Sequence, residues 1–539
     1  MRCVVFSRIA NTPMHPLETV LLLLIFVIGL ALLTQRIRLA FPILLTVGGL
    51  GIGFLPGLPR VVLDPSVVLL VFLPPVLYSA AWYTNWGDFR RYGEPIMVLA
   101  LGLVLATSFG VALLAHAMIP GFTIAMGLVL GAIVSPPDAV AATAIMKTQT
   151  VPRKIVTILE GESLVNDATA LVLLQLALVT VSSGTFSLGN AVLEFIMLAG
   201  GGVSAGLVVG FVSFCIHRHA KLEPALETAL TFVTAYLAYL LAEHLHLSGV
   251  LSVVSAGLFN GHKQSRIQRP VVRMQAVAVW DFVIVLLNGL IFILIGLQLP
   301  YVVNAIRGQS VGQLAAYGIS ISLIVVIIRF VFVFMADTLS NKIRDLLHLP
   351  PIFPTRRHTT LLAYISMRGI VSLAAVLSIP ERLANGNLFP ERNLFLFITF
   401  CVILFTLVGQ GILLPVVIRA LAFDQQSSDY MSRHEVRTKL TQRALVQVQQ
   451  QADQEKLTGP TIQAVIAHHQ TQVDELTHAE TAYLTEQHQL HKKLMMTGIQ
   501  AQRDELIALR DQRQIDIDLF HELENEMDRE EIQLNHLNT

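Results

Sequence analysis

Polar positions are scarce along the first four-fifths of the chain. Apolar runs of 15–27 residues follow one another, separated by short breaks rich in Arg, Lys, Gly and Pro. A helix crosses a bilayer with about 17–25 residues. Thirteen such runs are counted: 17–33, 41–58, 65–82, 95–119, 122–146, 160–182, 190–216, 225–245, 247–261, 276–299, 312–336, 358–380 and 393–419. The second is rich in Gly and Pro and the ninth is short. No small-residue cleavage site follows the first, which therefore reads as a retained span. From about Arg433 the pattern changes to Gln, Glu, Leu and Ala, all good helix formers. Gly459-Pro460 marks a break. Leu506, Leu509, Phe520, Leu523, Met527, Leu534 and Leu537 recur at helical spacings. They predict an amphipathic helix that packs on itself or on its copy. The pattern predicts an all-α polytopic membrane protein. It has a membrane domain over 1–423 and a cytoplasmic helical tail over 424–539.

Composition sharpens this picture. Of 539 residues, 54% are hydrophobic and 14% charged, and the mean hydropathy is +0.64. A typical soluble domain carries about 25% charged residues. So few charges cannot cover several soluble domains, and the same numbers exclude a disordered chain. Cys3, Cys215 and Cys401 are scattered and suggest no metal or redox pair. No cofactor and no nucleic-acid partner is expected.

Formal charge is zero, but as a cancellation. Residues 1–423 hold 26 basic and 17 acidic side chains; residues 424–539 hold 11 and 20. Numbering the sides of the thirteen runs alternately puts 6 loop Arg and Lys on one side and 17 on the other. The positive-inside rule assigns the richer side to the cytoplasm. An odd number of crossings then leaves the N-terminus outside and the tail inside.

An ionisable side chain at membrane depth costs roughly 2.5–3.5 kcal/mol on insertion scales and points to function. Glu227, Glu243, Asp281 and Glu194 lie near predicted span ends and read as interface anchors or pairs. Arg329 is mid-span and reads as the partner of a buried acid. Asp138 stands in Ser135-Pro136-Pro137-Asp138, halfway along the fifth run. Pro136 and Pro137 remove two backbone N–H donors, interrupt the helix and free the carbonyls of Ala132 and Ile133. Unpaired backbone at that depth belongs in protein or beside a wet cavity. Carbonyls, a hydroxyl and a carboxylate make a hard oxygen site suited to Na⁺ or Li⁺.

The sixth run opens with Glu160-Gly161-Glu162-Ser163-Leu164-Val165-Asn166-Asp167. On a helix Glu162, Ser163, Asn166 and Asp167 cover an arc of roughly 140°, one polar face turned from lipid. Asp167 offers oxygens to a cation or a proton. Arg368, in Met367-Arg368-Gly369, keeps its charge in a protein and needs an acid; Glu162 is the partner expected. Secondary transporters are often inverted repeats with broken helices at matching positions. Pairing runs 1–6 with 8–13 sets the fifth against the twelfth, so a second break is expected at Arg368-Gly369.

Several motifs in order then resemble the monovalent cation:proton antiporter-1 family, the bacterial Na⁺/H⁺ exchangers of the sodium/hydrogen exchanger superfamily. They are FLPPVLYSAAW (72–82), SPPDAVAATAI (135–145), LEGESLVNDATALVL (159–173), SGVLSVVSAGL (248–258), NGLIFILIGLQL (288–299) and MRGIVSLAAVL (367–377). The resemblance implies thirteen helices. Dimerisation helices (about 17–82 and 190–299) would face a core domain (about 95–182 and 312–419) in a homodimer. It also implies an exchange site at Asn166-Asp167, with Asp138 and Ser163 in the same site, Na⁺ on Asp138, Asp167 and Ser163, and Glu162 with Arg368 as a structural ion pair. Two positions depart from the family pattern. Pro137 stands where many members have Thr, which removes a hydroxyl ligand, and Ser79 stands where animal exchangers carry an acid.

The function implied is a secondary antiporter, not an enzyme. It would exchange Na⁺ or Li⁺ for H⁺ by alternating access, electroneutrally, in pH and sodium homeostasis. K⁺/H⁺ exchange at the same site is the alternative. A membrane hydrolase finds no HExxH, GxGD or nucleophile motif, and a channel would not need a broken-helix acid site.

Overall fold

The computed structural model describes the chain apart from residues 1–15, 35, 37–39, 55–64, 147–148, 150, 185–187, 221, 306–309, 349, 354, 381, 383–388, 424–432, 456–458, 478–481, 513–522, 525, 529 and 532–539. The loop residues Arg2, Arg8, Arg38, Arg60, Lys147, Lys221 and Arg307 lie outside the described residues, as do Phe520, Leu534 and Leu537 of the tail stripe. The chain clusters into two compact units, Met1–Ser427 and Ser428–Thr539.

Each apolar run of the first unit forms a helix or a broken pair. In chain order these are α1 Pro16–Thr34, α2 Phe41–Gly53, α3 Pro65–Tyr83, α4 Trp86–Arg91 and α5 Gly93–Met97. A π-helical stretch at Val98–Leu103 leads into α6 Val104–Met118, followed by α7 Ile124–Val134, α8 Ala139–Met146, α9 Arg153–Ser183 and α10 Leu188–His219. Next come α11 Pro224–His244, α12 Gly249–Ile267, α13 Pro270–Ala305, α14 Val311–Leu346, α15 Arg356–Tyr364, α16 Ile370–Leu377 and α17 Arg392–Leu404. A second π-helical stretch, Phe405–Gln410, continues into α18 Gly411–Leu421. Thr123, Ser248 and Ser310 cap their helices by accepting the N–H of Met126, Leu251 and Gln313. Such caps occupy N–H groups that have no partner within the helix.

Among the described residues, eight helices are long and apolar enough to cross a membrane, and Leu21–Thr34, Phe41–Gly53 and Leu69–Tyr83 are shorter apolar ones. Most show no apolar stripe, because lipid on one side and protein on the other both accept hydrocarbon. The protein is a multi-pass, all-α membrane protein.

Packing follows two sets. Helices α1–α3 and α10–α13 pack chiefly among themselves, as do α6, α7, α9, α14 and α17. The first set is laid backbone to backbone. Added Cβ atoms at Gly202 and Gly206 of α10 would collide with the carbonyls of Ser248 and Ser252, and those at Gly257 and Gly261 of α12 with the carbonyls of Tyr78 and Trp82 on α3. Small residues permit this close approach in a membrane, where packing rather than water drives association.

The expected break in the fifth run is present: residues 135–138 are not helical. The twelfth run breaks at 365–369 without any proline. By contrast Pro74 and Pro75 lie inside a continuous α3.

The second unit holds α19 Arg433–Gln454, α20 Pro460–Thr477 and α21 Ala482–Asp511. Gly459 takes φ 144°, and α20 starts at Pro460. Helices α19 and α20 pack on each other, and Leu445, Val473, Ile499 and Leu506 are buried.

Candidate functional site

The two broken helices meet at their gaps. The Asp138 N–H has no partner in its own helix and donates to the Met367 carbonyl at 2.7 Å. From the other gap, Arg368 Nε donates to the Val134 carbonyl at 2.9 Å, and Nη2 to that of Ser135 at 3.3 Å. Arg368 Nη1 reaches the carbonyl and hydroxyl of its neighbour Ser366. The Arg368 N–H is taken by Thr406 Oγ1 at 3.0 Å. All of these residues except the half-buried Asp138 are buried, and each bond answers the rule that no backbone group stays unpaired at membrane depth.

The sequence expectation is corrected here in one respect, the partner of Glu162. The Ala132 carbonyl, freed by Pro136, accepts from Ser135 Oγ at 3.0 Å, and the carbonyls met by the Arg368 guanidinium across the gap are those of Val134 and Ser135. Arg368 is therefore not the hydrogen-bonded partner of Glu162. That partner is Arg329 of α14, through Nη1 to Oε1 at 2.6 Å and Nη2 to Oε2 at 2.9 Å, with both side chains fully buried. Arg329 also donates to the Leu362 carbonyl from Nε and Nη2, at 3.3 and 3.2 Å. The reason is angular. Glu162 and Asp167 lie about 140° apart around α9, so they address different neighbours: Glu162 meets α14, and Asp167 faces the crossing.

Asp138 caps α8. Its Oδ1 accepts the N–H groups of Val140 at 2.8 Å and Ala141 at 3.3 Å. Its Oδ2 is buried without a hydrogen-bond partner. Gly369 lies directly against that oxygen, and a Cβ there would collide with it. Ser163 ties α9 to the break, with Oγ donating to the Pro137 carbonyl at 3.2 Å and accepting from the Ala139 N–H at 3.4 Å. The hydroxyl that Pro137 lacks is thus adjacent, on Ser163. Asp167 is buried one turn further along α9, and the side-chain nitrogen and oxygen of buried Asn166 have no partner.

Asp138, Ser163, Asp167, Pro136, Pro137 and Gly369 line one cavity of about 720 Å³. Asn166 is not part of that lining. The facing wall carries Asp281 and Asn288 of α13, with Tyr83 and Ser79 of α3. Asp281, expected as an anchor at a span end, accepts a bond from Tyr83 Oη at 3.1 Å. Glu227 pairs with Arg269 at 2.7 Å. Sequence reasoning flagged Arg329 without its partner and passed over Asn288, although an amide seven residues after Asp281, in the apolar stretch 282–297 of the helix, was a readable signal. Chemically, the cavity joins the carboxylates of Asp138 and Asp167 and the Ser163 hydroxyl, with Glu160 and Asp281 also on its lining, a set of oxygens that accepts a small hard cation or a proton.

Comparison with known proteins matches residues 21–420 to the family described as "Sodium/hydrogen exchanger, transmembrane". The chain is 32% identical over 510 residues to an uncharacterized Na⁺/H⁺ exchanger of Mycobacterium tuberculosis, covering 93% of each chain. It is 29% identical over 505 residues to the sodium, potassium, lithium and rubidium/H⁺ antiporter of Bacillus subtilis, covering 91% of this chain and 74% of that one. The fold is similar to that of the sodium proton antiporter MjNhaP1 from Methanocaldococcus jannaschii. The TM-score is 0.61 at 18% identity, over 75% of this chain and 98% of that one.

Proposed function

The chain belongs to the sodium/hydrogen exchanger family of transporters, and from that premise we propose that it exchanges Na⁺ or Li⁺ for H⁺ with Asp167 as the group that holds cation and proton in turn. The observation that carries this reading is the single cavity joining Asp167, Asp138 and Ser163 to the crossing of two broken helices. Asn166 stands beside Asp167 as an amide, leaving one exchanging carboxylate at that pair.

The charges support a 1:1, electroneutral exchange. Glu162 and Arg329 cancel. Arg368 stays positive and offsets one of the two carboxylates. Counting the crossing alone, Asp138, Asp167 and Arg368, the empty site then carries one net negative charge, and a single Na⁺ or a single proton neutralises it. A ligand moves a conformational equilibrium only through its differential affinity. The neutral, loaded site crosses and the charged, empty one resists crossing, which prevents a leak.

The wider assignment is part of the same proposal. The chain crosses a bacterial inner membrane thirteen times, N-terminus outside and tail in the cytoplasm. Helices of 17–82 and 190–299 form a homodimer in the lipid, and those of 95–182 and 312–419 carry the site. The cavity also touches Tyr83, Thr143, Glu160 and Asp281. These lie toward the helix ends that lead to Arg90, Arg91, Arg153, Arg269 and Arg273, the side read as cytoplasmic, so the site is open inward. The role is export of sodium and control of cytoplasmic pH.

K⁺/H⁺ exchange is the second reading, favoured by the cation range in the name of the Bacillus subtilis relative. Proteoliposomes with a trapped pH dye decide between the two. Dequenching on addition of Na⁺ and Li⁺ but not K⁺ is expected across the pH range; a response to K⁺ alone replaces sodium with potassium, and no response to any of the three overturns the proposal.

A further inference from the structure

The gap at 365–369 holds a buried donor that a continuous helix would have kept for itself. In an unbroken helix the Arg368 N–H would donate to the Tyr364 carbonyl, one turn back. It donates instead to Thr406 Oγ1 at 3.0 Å. Thr406 lies on the second π-helical stretch, Phe405–Gln410, and both it and Arg368 are fully buried. A hydroxyl donates once and still accepts. That of Thr406 donates along its own helix to the Val402 carbonyl at 2.8 Å, so its lone pairs are left for the gap. The same stretch takes a second bond. Tyr364, the last residue of α15, donates from Oη to the Gln410 carbonyl at 3.1 Å. The π-helical stretch is therefore bonded to the residue that ends the half-helix and to a residue inside the break. Single π turns within α-helices are rare and occur mostly at functional sites.

We propose that this π-helical stretch braces the break, and that Thr406 is a positioning residue of the exchange site, acting on Asp138 through the backbone of 367–369. This rests on the reading of the crossing as the exchange site. The Met367 carbonyl accepts the Asp138 N–H at 2.7 Å, Gly369 lies against Asp138 Oδ2, and Gly369 and Ile370 line the cavity with Asp138 and Asp167. The backbone that Thr406 holds is thus the backbone that sets where the Asp138 carboxylate stands. Without the hydroxyl the Arg368 N–H is either stranded at membrane depth or free to close back onto the Tyr364 carbonyl. Either outcome moves Met367 and Gly369 relative to Asp138. Thr406 itself touches neither cation nor proton.

The test uses the full-length chain in proteoliposomes, with initial exchange rates measured against Na⁺ concentration, beside melting curves in detergent. Thr406→Val keeps the outline of the side chain and removes the acceptor; Thr406→Ser keeps the acceptor. In Thr406→Val the apparent KM for Na⁺ rises about tenfold while the maximal rate stays within about threefold, as for a cation ligand that has lost an outer support. In Thr406→Ser the KM stays at the wild-type value. A wild-type KM in Thr406→Val, with or without a lower maximal rate or melting temperature, overturns the proposal and makes Thr406 a packing residue. An equal rise in the Val and Ser variants also overturns it, because the hydroxyl is then not what matters. If Thr406→Val fails to fold, Tyr364→Phe decides: a raised KM upholds the brace and an unchanged KM overturns it. Asp167→Asn in the same vesicles separates the two readings. Surviving exchange there removes the site itself, whereas lost exchange there with a wild-type KM in Thr406→Val removes the role of Thr406 alone.

Discussion

Arg329 and Glu162 meet through two parallel hydrogen bonds, at 2.6 and 2.9 Å, in a place where neither side chain is exposed at all. The paired geometry matches the guanidinium fork to the carboxylate, and the Leu362 carbonyl takes two more of the arginine's donor contacts. Removing one partner strands the other charge. Glu162→Ala and Arg329→Ala should each lower stability by about 3–5 kcal/mol. The apolar double variant Glu162→Leu/Arg329→Met should lose much less. Melting temperatures in detergent check this; additive losses in the double variant would mean that the two residues do not act as a pair.

Asp167 is expected to separate transport from folding. It makes no bond that holds two helices together, so Asp167→Asn should abolish exchange and leave the melting temperature within a few degrees. Asp138→Asn should behave similarly, because an amide oxygen can still accept from Val140 and Ala141 in place of Oδ1. Vesicle exchange assays beside melting curves read both. Normal exchange in Asp167→Asn would sink the site assignment.

Gly369 is the tightest point of the crossing. A Cβ there runs into Asp138 Oδ2, so Gly369→Ala must displace the carboxylate or the backbone. Overpacking of this kind costs about 1–3 kcal/mol. Exchange should fall much further than stability, since the displaced group belongs to the site. Equal exchange in wild type and Gly369→Ala would show that the Asp138 carboxylate does not need its present position.

Met1–Ser427 is a compact unit without the remainder of the chain. Truncation after Ser427 should therefore leave a folded protein that still exchanges cations. Circular dichroism and the dye assay test this, and a truncated chain that aggregates or loses exchange contradicts it.

The sequence carried the site further than it carried its partners. Paired prolines before an aspartate announced the break at 135–138, because missing N–H groups are written in the residue types. The break at 365–369 has no such mark; it was expected only from the repeat, and it persists because Val134, Ser135 and Met367 exchange hydrogen bonds with the opposite gap. Pro74 and Pro75 show the converse. The same dipeptide leaves α3 unbroken, so proline alone does not decide. Arg329 and Arg368 were both visible as buried charges. Which of them meets Glu162 depends on which helix faces which side of α9, and that is a property of packing. Asn288 was overlooked for a related reason: one amide in the apolar middle of a helix gains meaning only when the opposite wall is known.

The backbone-to-backbone seams at Gly202, Gly206, Gly257 and Gly261 have a mechanical corollary. At these four glycines α12 meets α10 and α3 with no side chain between the backbones, so sliding there drives one backbone against the carbonyls of the other. These three helices are the stiff plate of the molecule. Compliance resides elsewhere, at the short half-helices α8 and α16, each of which is separated from its other half by a gap in the helix.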